Sequence, residues 1–345
     1  MKITIADIAE RAGVSKATVS RVLNERPEGV GVETRARIRK ILSETGFQPS
    51  GVARGLATGK SRSVGLIIPD ITNPFHPLLV RGVEAVLSQA GYSLFLCNSA
   101  CDIVKEKEYV RILMEKGVDG VILNSAESDC DCQLELLEKR GVPVVLLDRI
   151  IEGESPRVGV FVDNREGARQ AAAHLLAREN CSLLFLNGPA DLSQSVSRLA
   201  GVLDVLRDKQ LPGGRLTVLN GDYSIDSGFR LTASLLDRVV PGSNPARLPF
   251  NALFACNDLM AVGALRALKQ YGIRVPEQVE VIGFDDIELA HLVDPPLSTV
   301  SQPALEMGAQ SATRLLRLIE AKAERPETLV LMPKLILRGT TRPAC

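Results

Sequence analysis

The sequence predicts a mixed α/β chain: a small all-α head, a short joint, and two doubly wound, parallel-sheet lobes. Three observations lead there. Residues 4–24 carry two short apolar stripes at helical spacing on either side of a glycine. From residue 63 onward, short apolar runs alternate with amphipathic stretches. That body, roughly 280 residues, exceeds what one such sheet accommodates around a single core, so it divides into two similar lobes.

The bulk numbers narrow the class. The 345 residues are 45% hydrophobic and only 4% aromatic, so the cores are built from Val, Leu, Ile and Ala. No run approaches the ~18 uninterrupted apolar residues of a membrane helix. The start, "MKITIADIAERAG", mixes acids and bases with apolar residues, unlike an export signal, and a cytoplasmic location is expected. Seven cysteines are an odd number, and Cys97/Cys101 and Cys130/Cys132 lack zinc-site spacing, so free thiols are expected. Net charge is zero but uneven: residues 1–62 hold twelve Lys/Arg against six Asp/Glu, and the rest hold 29 against 35. A basic head on an acidic body implies a polyanionic partner for the head alone.

In the head, Thr4 is a helix N-cap, with Asp7 placed to serve the same helix start. Ile5, Ile8, Ala9 and Ala12 form one stripe, and Gly13 ends the helix in a left-handed turn. Ser15 then caps a second helix, "KATVSRVLN", and a third over about residues 33–44 closes a core with Ile38, Ile41 and Leu42. Two short helices joined by a Gly turn make a helix-turn-helix, whose second helix leads into the DNA major groove with its N-terminal residues. Lys16 and Ala17 then face base edges, for guanine and for a thymine methyl. Ser15, Thr18 and Ser20 suit phosphates, and Arg21 reaches a base or phosphate one turn on. Thr4 and Asn24 complete the DNA-facing set.

The joint, "FQPSGVARGLATGKSR", starts with Pro49 where a helix can begin, yet Gly51 and Gly55 each weaken it by roughly 1 kcal/mol relative to Ala. It is either a flexible linker or a segment that folds only on its partner.

The body supplies nine strand-like runs: "SVGLIIPD", "YSLFLCN", "GVILNS", "VPVVLLD", "VGVFVD", "SLLFLNG", "RLTVLNG", "ALFACND" and "VEVIGFDD". Nearly all-apolar strands suit parallel sheets covered on both faces. Helical patterns such as "PLLVRGVEAVLSQAG" and "LMAVGALRALKQYG" lie between them. Several strands end in a polar residue: Asp70, Asn98, Asp148, Asp163, Asn257 and Asp285. Ligands of open α/β sheets bind beyond the carboxyl ends of strands, although Asp and Asn there also serve as turn and cap residues. There is no GxGxxG after a strand, no GxxxxGK[ST] loop and no HExxH, and only three histidines: His76, His174 and His291. No cofactor, metal or catalytic residue is expected.

"TIADIAERAGVSKATVSRVLN" resembles the N-terminus of the LacI/GalR family of bacterial repressors. The resemblance continues through "ETRARIRKILSETGFQPSGVARGLATGKSRSVGLIIPDITNPF" and, at intervals, to "LILRGTT", covering essentially the whole chain. It implies a helix-turn-helix domain over residues 1–47 and a hinge helix over 48–62. It implies an effector-binding core of the periplasmic-binding-protein type, with one lobe from 63–161 and 291–322 and the other from 162–290 and 323–345. In such a hinge, paired helices enter the minor groove, Leu56 wedges a base step beside Ala53, and Arg54 meets phosphate. At the hinge start Phe47-Gln48-Pro49-Ser50 stands where the family usually has Tyr-x-Pro-Asn, so Phe47 and Ser50 depart from it, and Gly31 stands where a Ser often caps the third helix.

The same resemblance fills the cleft. It assigns Asn73, Phe75 and His76, then Asp148 and Arg149, then Arg198, Tyr223, Asn257, Asp285 and Gln302 to the effector. The set is especially similar to that of ribose-type binding proteins. Ribose or a related pentose is therefore favoured. His76, in place of a second aromatic, keeps a sugar acid open, and a hexose or purine remains an alternative. The implied partners are double-stranded operator DNA, a small sugar and a second copy of the chain, with no membrane. The family dimerises through the body, expected here around "PLLVRGVEAVL", unless that stripe is lobe core. No leucine heptads follow "LRGTTRP", so a dimer is expected rather than a tetramer. Two other functions compete: a cytosolic sugar-binding protein and a sugar or nucleotide enzyme.

Overall fold

In the computed structural model, the described residues are 3–23, 28–47, 60–125, 131–148, 157–178, 180–238, 248–320 and 327–343. The chain divides into two units, Met1–Arg62 and Ser63–Cys345.

The first unit contains helices α1 (Ile5–Ala12), α2 (Lys16–Leu23) and α3 (Val32–Thr45). The predicted start of α1 is a full capping box: the Thr4 hydroxyl accepts from the Asp7 amide, and the Asp7 carboxylate accepts from the Thr4 amide. Gly13 ends α1 at φ 64°, a conformation easy only for glycine, and lets the chain turn into α2. Ile8, Val19 and Ile38 are fully buried, one from each helix, at the centre of the head's core. The head buries few side chains, so each carries a large share of its stability.

The second unit holds two six-stranded sheets. In chain order the elements of its first pass are β1 (Ser63–Ile68), α4 (Phe75–Gln89), β2 (Ser93–Asn98), α5 (Ile103–Glu115), β3 (Gly120–Leu123), α6 (Asp131–Lys139), β4 (Val144–Leu147) and β5 (Gly159–Val162). A second series follows: α7 (Asn164–Leu175), β6 (Leu183–Asn187), α8 (Ser193–Asp208), β7 (Leu216–Asn220), α9 (Ile225–Leu236), β8 (Ala252–Ala255), α10 (Asp258–Gln270), β9 (Glu280–Asp285), α11 (Glu288–Leu292) and β10 (Ser298–Ser301). The chain closes with α12 (Ala304–Ile319), β11 (Thr328–Leu331) and β12 (Lys334–Ile336).

The sheet orders are β11-β5-β4-β3-β1-β2 in the first lobe and β12-β10-β9-β8-β6-β7 in the second. Every pairing is parallel except β10 with β12. All nine runs read from the sequence are strands. Successive side chains of a strand point to opposite faces, so β1 sends Leu66 and Ile68 into one core and Ile67 into another. Helices cover both faces of each sheet, the doubly wound arrangement predicted.

The lobe boundaries need correction. Residues 291–322 were assigned to the first lobe, but β10 pairs with β9 and belongs to the second. Residues 323–345 were assigned to the second lobe, but β11 pairs with β5 in the first. Likewise β5 runs through Val162, one residue past the expected edge. The chain crosses between lobes three times: after Val162, around Gln302–Pro303 and around Met332–Pro333. "STVS" hides its strand because Ser298 and Thr299 are fully buried hydroxyls, satisfied by Thr341 and Asp258.

Part of the stripe in "PLLVRGVEAVL" is lobe core, while Leu78, Val80 and Val86 are only half-buried. Leu79, Val83 and Leu87 are fully buried, and α4 lies backbone to backbone against α12. A Cβ at Gly82 would fall 2.1 Å from the Leu305 carbonyl oxygen, and one at Gly308 2.1 Å from that of Leu79.

Candidate functional site

On α2 of the head, Val19 and Val22 are buried while Ser15, Lys16, Ala17 and Arg21 are exposed. Thr18 and Ser20 are half-buried. Ser15 accepts from the Thr18 amide at 3.2 Å and its hydroxyl pairs with that of Thr18 at 2.9 Å. The outward face therefore presents two cations, one methyl and a capped hydroxyl pair, as the helix-turn-helix reading requires. Thr4 is exposed beside its capping box. Asn24, Ala53, Arg54 and Leu56 lie outside the described residues, as does most of the 48–62 hinge.

In the body, a cleft between the lobes is lined by Asn73, Phe75, His76, Asp148, Gln194, Arg198, Tyr223, Asn257, Asp285 and Gln302. Nine of the ten predicted effector residues are in that lining; the tenth, Arg149, lies outside the described residues. The cleft holds about 380 Å³ of empty space, the open solvent at its mouth included.

Local structure explains how each side chain arrives. In the first lobe, Asn73 accepts from the Phe75 amide at 3.1 Å and so turns the chain into α4. His76, only 6% exposed, places Nδ1 2.6 Å from the Asp70 carbonyl oxygen. A carbonyl only accepts, so Nδ1 carries the proton and donates. Asp148 follows β4 at φ 67°.

In the second lobe, Arg198 is 4% exposed and locked from three sides. Its Nε donates to Asn164 at 2.8 Å, its Nη1 to the Cys256 carbonyl at 2.5 Å, and its guanidinium lies 3.7 Å from the centroid of the Phe284 ring. Tyr223, at φ 66°, pairs its hydroxyl with Ser195 at 2.7 Å. Its ring fits because position 188 is glycine; a Cβ there would sit 2.3 Å from the ring. Asn257 caps α10 by accepting from the Met260 amide and donates to the Tyr223 carbonyl at 2.9 Å. Asp285 ends β9 at φ 117°. Three lining residues thus hold left-handed backbone, a cost that the surrounding structure must sustain and that clusters at binding sites.

Two amide–carboxylate pairs organise the lining. Gln194 Nε2 donates to Asp148 Oδ2 at 3.1 Å across the lobes, and Gln302 Nε2 donates to Asp285 Oδ1 at 2.7 Å. A carboxylate accepts, so each amide must turn its NH₂ toward it. What remains is three buried acceptors without a hydrogen-bond partner: Asp148 Oδ1, Gln194 Oε1 and Gln302 Oε1. Burial pushes the Asp285 carboxyl up to about 7, against the opposing pull of Arg198 and Gln302, with Asp148 adding to the rise.

Gln194 was missed by the sequence reading. Its signal was present: it stands four residues before Arg198 and so shares that residue's helix face. Asn124, at the carboxyl end of β3, was also passed over and is fully buried with both amide atoms unpartnered. Of the other strand-end polar residues, Asp70 bonds Thr72, Asn98 bonds the Ile71 amide, and Asp163 caps α7. These are turn and cap roles. Among the described residues no cluster suits a metal, and no helix is long and apolar enough to cross a membrane.

Comparison with known proteins finds matches for both parts of the chain. Residues 4–50 match the profile "Bacterial regulatory proteins, lacI family", and residues 172–341 match "Periplasmic binding protein-like domain". The chain is 36% identical to the ribose operon repressor of Halalkalibacterium halodurans over 339 residues, covering 98% of this chain and 97% of that one. The Lac repressor dimer bound to operator and the anti-inducer ONPF superposes with a TM-score of 0.86 at 29% identity, covering 99% of each chain. A LacI-family regulator from Enterococcus faecium with bound ribose gives 0.72 at 32% identity, over 82% of this chain and all of that one.

Proposed function

The chain belongs to the LacI family of bacterial transcriptional repressors, and from that premise we propose that a neutral pentose, D-ribose or a close relative, is the effector that governs it. It is a DNA-binding regulator and not an enzyme. It acts in the cytoplasm as a homodimer, with two α2 helices reading the half-sites of a palindromic operator. Lys16, Ala17 and Arg21 face the bases, and the nearby hydroxyls meet phosphates.

The observation that carries the effector reading is the shortage of donors in the cleft. Asp148 Oδ1, Gln194 Oε1 and Gln302 Oε1 are buried acceptors with nothing to accept. An unmet buried polar group costs about 1–3 kcal/mol, so a ligand bringing hydroxyl donors recovers that loss. A pentose brings several, and Arg198 donates to its oxygens in return. Phe75 and Tyr223 offer ring faces to its C–H edges. A sugar acid fits less well, because its carboxylate adds acceptors where acceptors already abound. Ribose in the name of one relative, and bound to a similar solved structure, points the same way.

Control follows from linkage. Asp148 and Gln194 sit on different lobes and are hydrogen-bonded to each other. A ligand between them favours one lobe arrangement, and operator affinity changes by as much as its preference for that arrangement. The test is thermal unfolding of the full chain with D-ribose, D-ribonate or hypoxanthine. Ribose at about 100 times its Kd adds about 2.7 kcal/mol, and Arg198→Ala abolishes the gain. Stabilisation by ribonate or hypoxanthine without any by ribose overturns the assignment.

A further inference from the structure

Asp258 is a fully buried carboxyl group just behind the cleft, and it does not belong to the lining. It is the first residue of α10, immediately after Asn257. Its Oδ2 accepts from the Ile287 amide at 2.9 Å, two residues beyond Asp285. Its Oδ1 accepts from the Thr299 hydroxyl at 2.5 Å, three residues before Gln302. We propose that Asp258 is a positioning residue for effector recognition, tying together the three chain segments that present Asn257, Asp285 and Gln302. The proposal rests on the reading of the cleft as the effector site.

Three further observations support this role. The segment that Asp258 holds is strained: Asp285 and Asp286 have φ of 117° and 63°. Such backbone persists only where neighbouring contacts over-determine it, and the Ile287 amide is the first anchor after it. Room for the carboxyl is built into β9, where a Cβ at Gly283 would lie 2.2 Å from Asp258 Oδ1. Finally, the Ile287 side chain is buried in the core cluster of the first lobe, so the same anchor serves the joint between lobes.

The chemistry of the group suits a neutral tie. Burial, reinforced by Asp285, holds the Asp258 carboxyl well above the usual carboxylate range. A protonated carboxyl still accepts from the Ile287 amide at Oδ2 and, with its proton on Oδ1, donates to the Thr299 oxygen instead of accepting from it, without the cost of an unpaired buried charge. Asparagine can reproduce that pattern, with its carbonyl toward the Ile287 amide and its NH₂ toward the Thr299 hydroxyl. Alanine cannot.

The test compares full-length Asp258→Ala and Asp258→Asn with the wild type, in two measurements. The first is D-ribose affinity by calorimetry. Asp258→Ala raises Kd about tenfold or more, and Asp258→Asn stays within about threefold. The second needs no ligand: amide hydrogen exchange over residues 284–287 and 299–302. Alanine accelerates exchange there, leaves β1–β4 of the first lobe unchanged, and asparagine restores protection. Should the alanine variant fail to fold, Thr299→Val removes one anchor alone and is expected to raise Kd severalfold. A wild type that binds no ribose defeats the effector reading, while the exchange arm still judges the positioning role. Alanine at 258 with unchanged exchange at 284–287 overturns the proposal, as does asparagine behaving like alanine.

Discussion

At the scale of single residues, the cleft is governed by acids held away from water. Asp285 is 7% exposed, and burial raises its carboxyl to about 7. The sign of the consequence is definite. Between about pH 4 and about pH 7 the folded chain holds a proton that the unfolded chain has released, so the unfolded state binds fewer protons and stability falls as pH rises. The cleft groups around it are Arg198, Gln302, Asp148 and, behind them, Asp258. Asp285→Asn removes the titration. Urea unfolding therefore finds the stability of the variant relative to the wild type higher near pH 8 than near pH 5 by over about 1 kcal/mol. Equal gaps at both values contradict the assignment. How far residues were legible depended on their competing uses. Asp148, Asn257 and Asp285 were named from strand ends and reach the cleft, whereas Asp163, named by the same rule, is a helix cap. Chain chemistry alone does not separate the two, because a cap and a ligand contact use the same short acceptor. Gln194 escaped because a helix-borne amide carries no strand-end signal.

At the scale of elements, α4 and α12 hold the first-lobe wall of the cleft. Phe75 and His76 open α4, and α12 starts two residues after Gln302. The helices approach so closely that Gly82 and Gly308 each abut a backbone oxygen of the other helix. Backbone oxygens cannot swing aside, so Gly82→Ala must spread the pair. The expected loss is about 1–3 kcal/mol in chemical unfolding, with weaker ribose binding because the α4 start moves. A Gly82→Ala protein of wild-type stability contradicts this packing. Elements with strong patterns were legible: the nine apolar strands, the capping box at Thr4 and the Gly13 turn. β10, β11 and β12 were not. They are three or four residues long, and β10 buries Ser298 and Thr299 instead of apolar side chains. Missing them displaced the lobe boundaries, since two of the three crossovers lie between these strands.

At the scale of the whole molecule, the basic 1–62 segment and the acidic remainder divide the work between polyanion and small ligand. The family resemblance carried the part that spacing cannot: which strand ends converge on one cleft depends on two lobes folding separately and facing each other. The central claim is that one pentose in that cleft controls operator affinity. The direct measurement is binding of the full-length protein to the palindromic duplex it selects from random sequence, with and without saturating D-ribose, for wild type and Arg198→Ala. The account predicts that ribose changes wild-type operator affinity about tenfold or more, a coupling of about 1.4 kcal/mol or greater, while Arg198→Ala still binds the operator and no longer responds. Ribose bound to the wild type with operator affinity unmoved, or an Arg198→Ala protein that responds at the same ribose concentration, would contradict it.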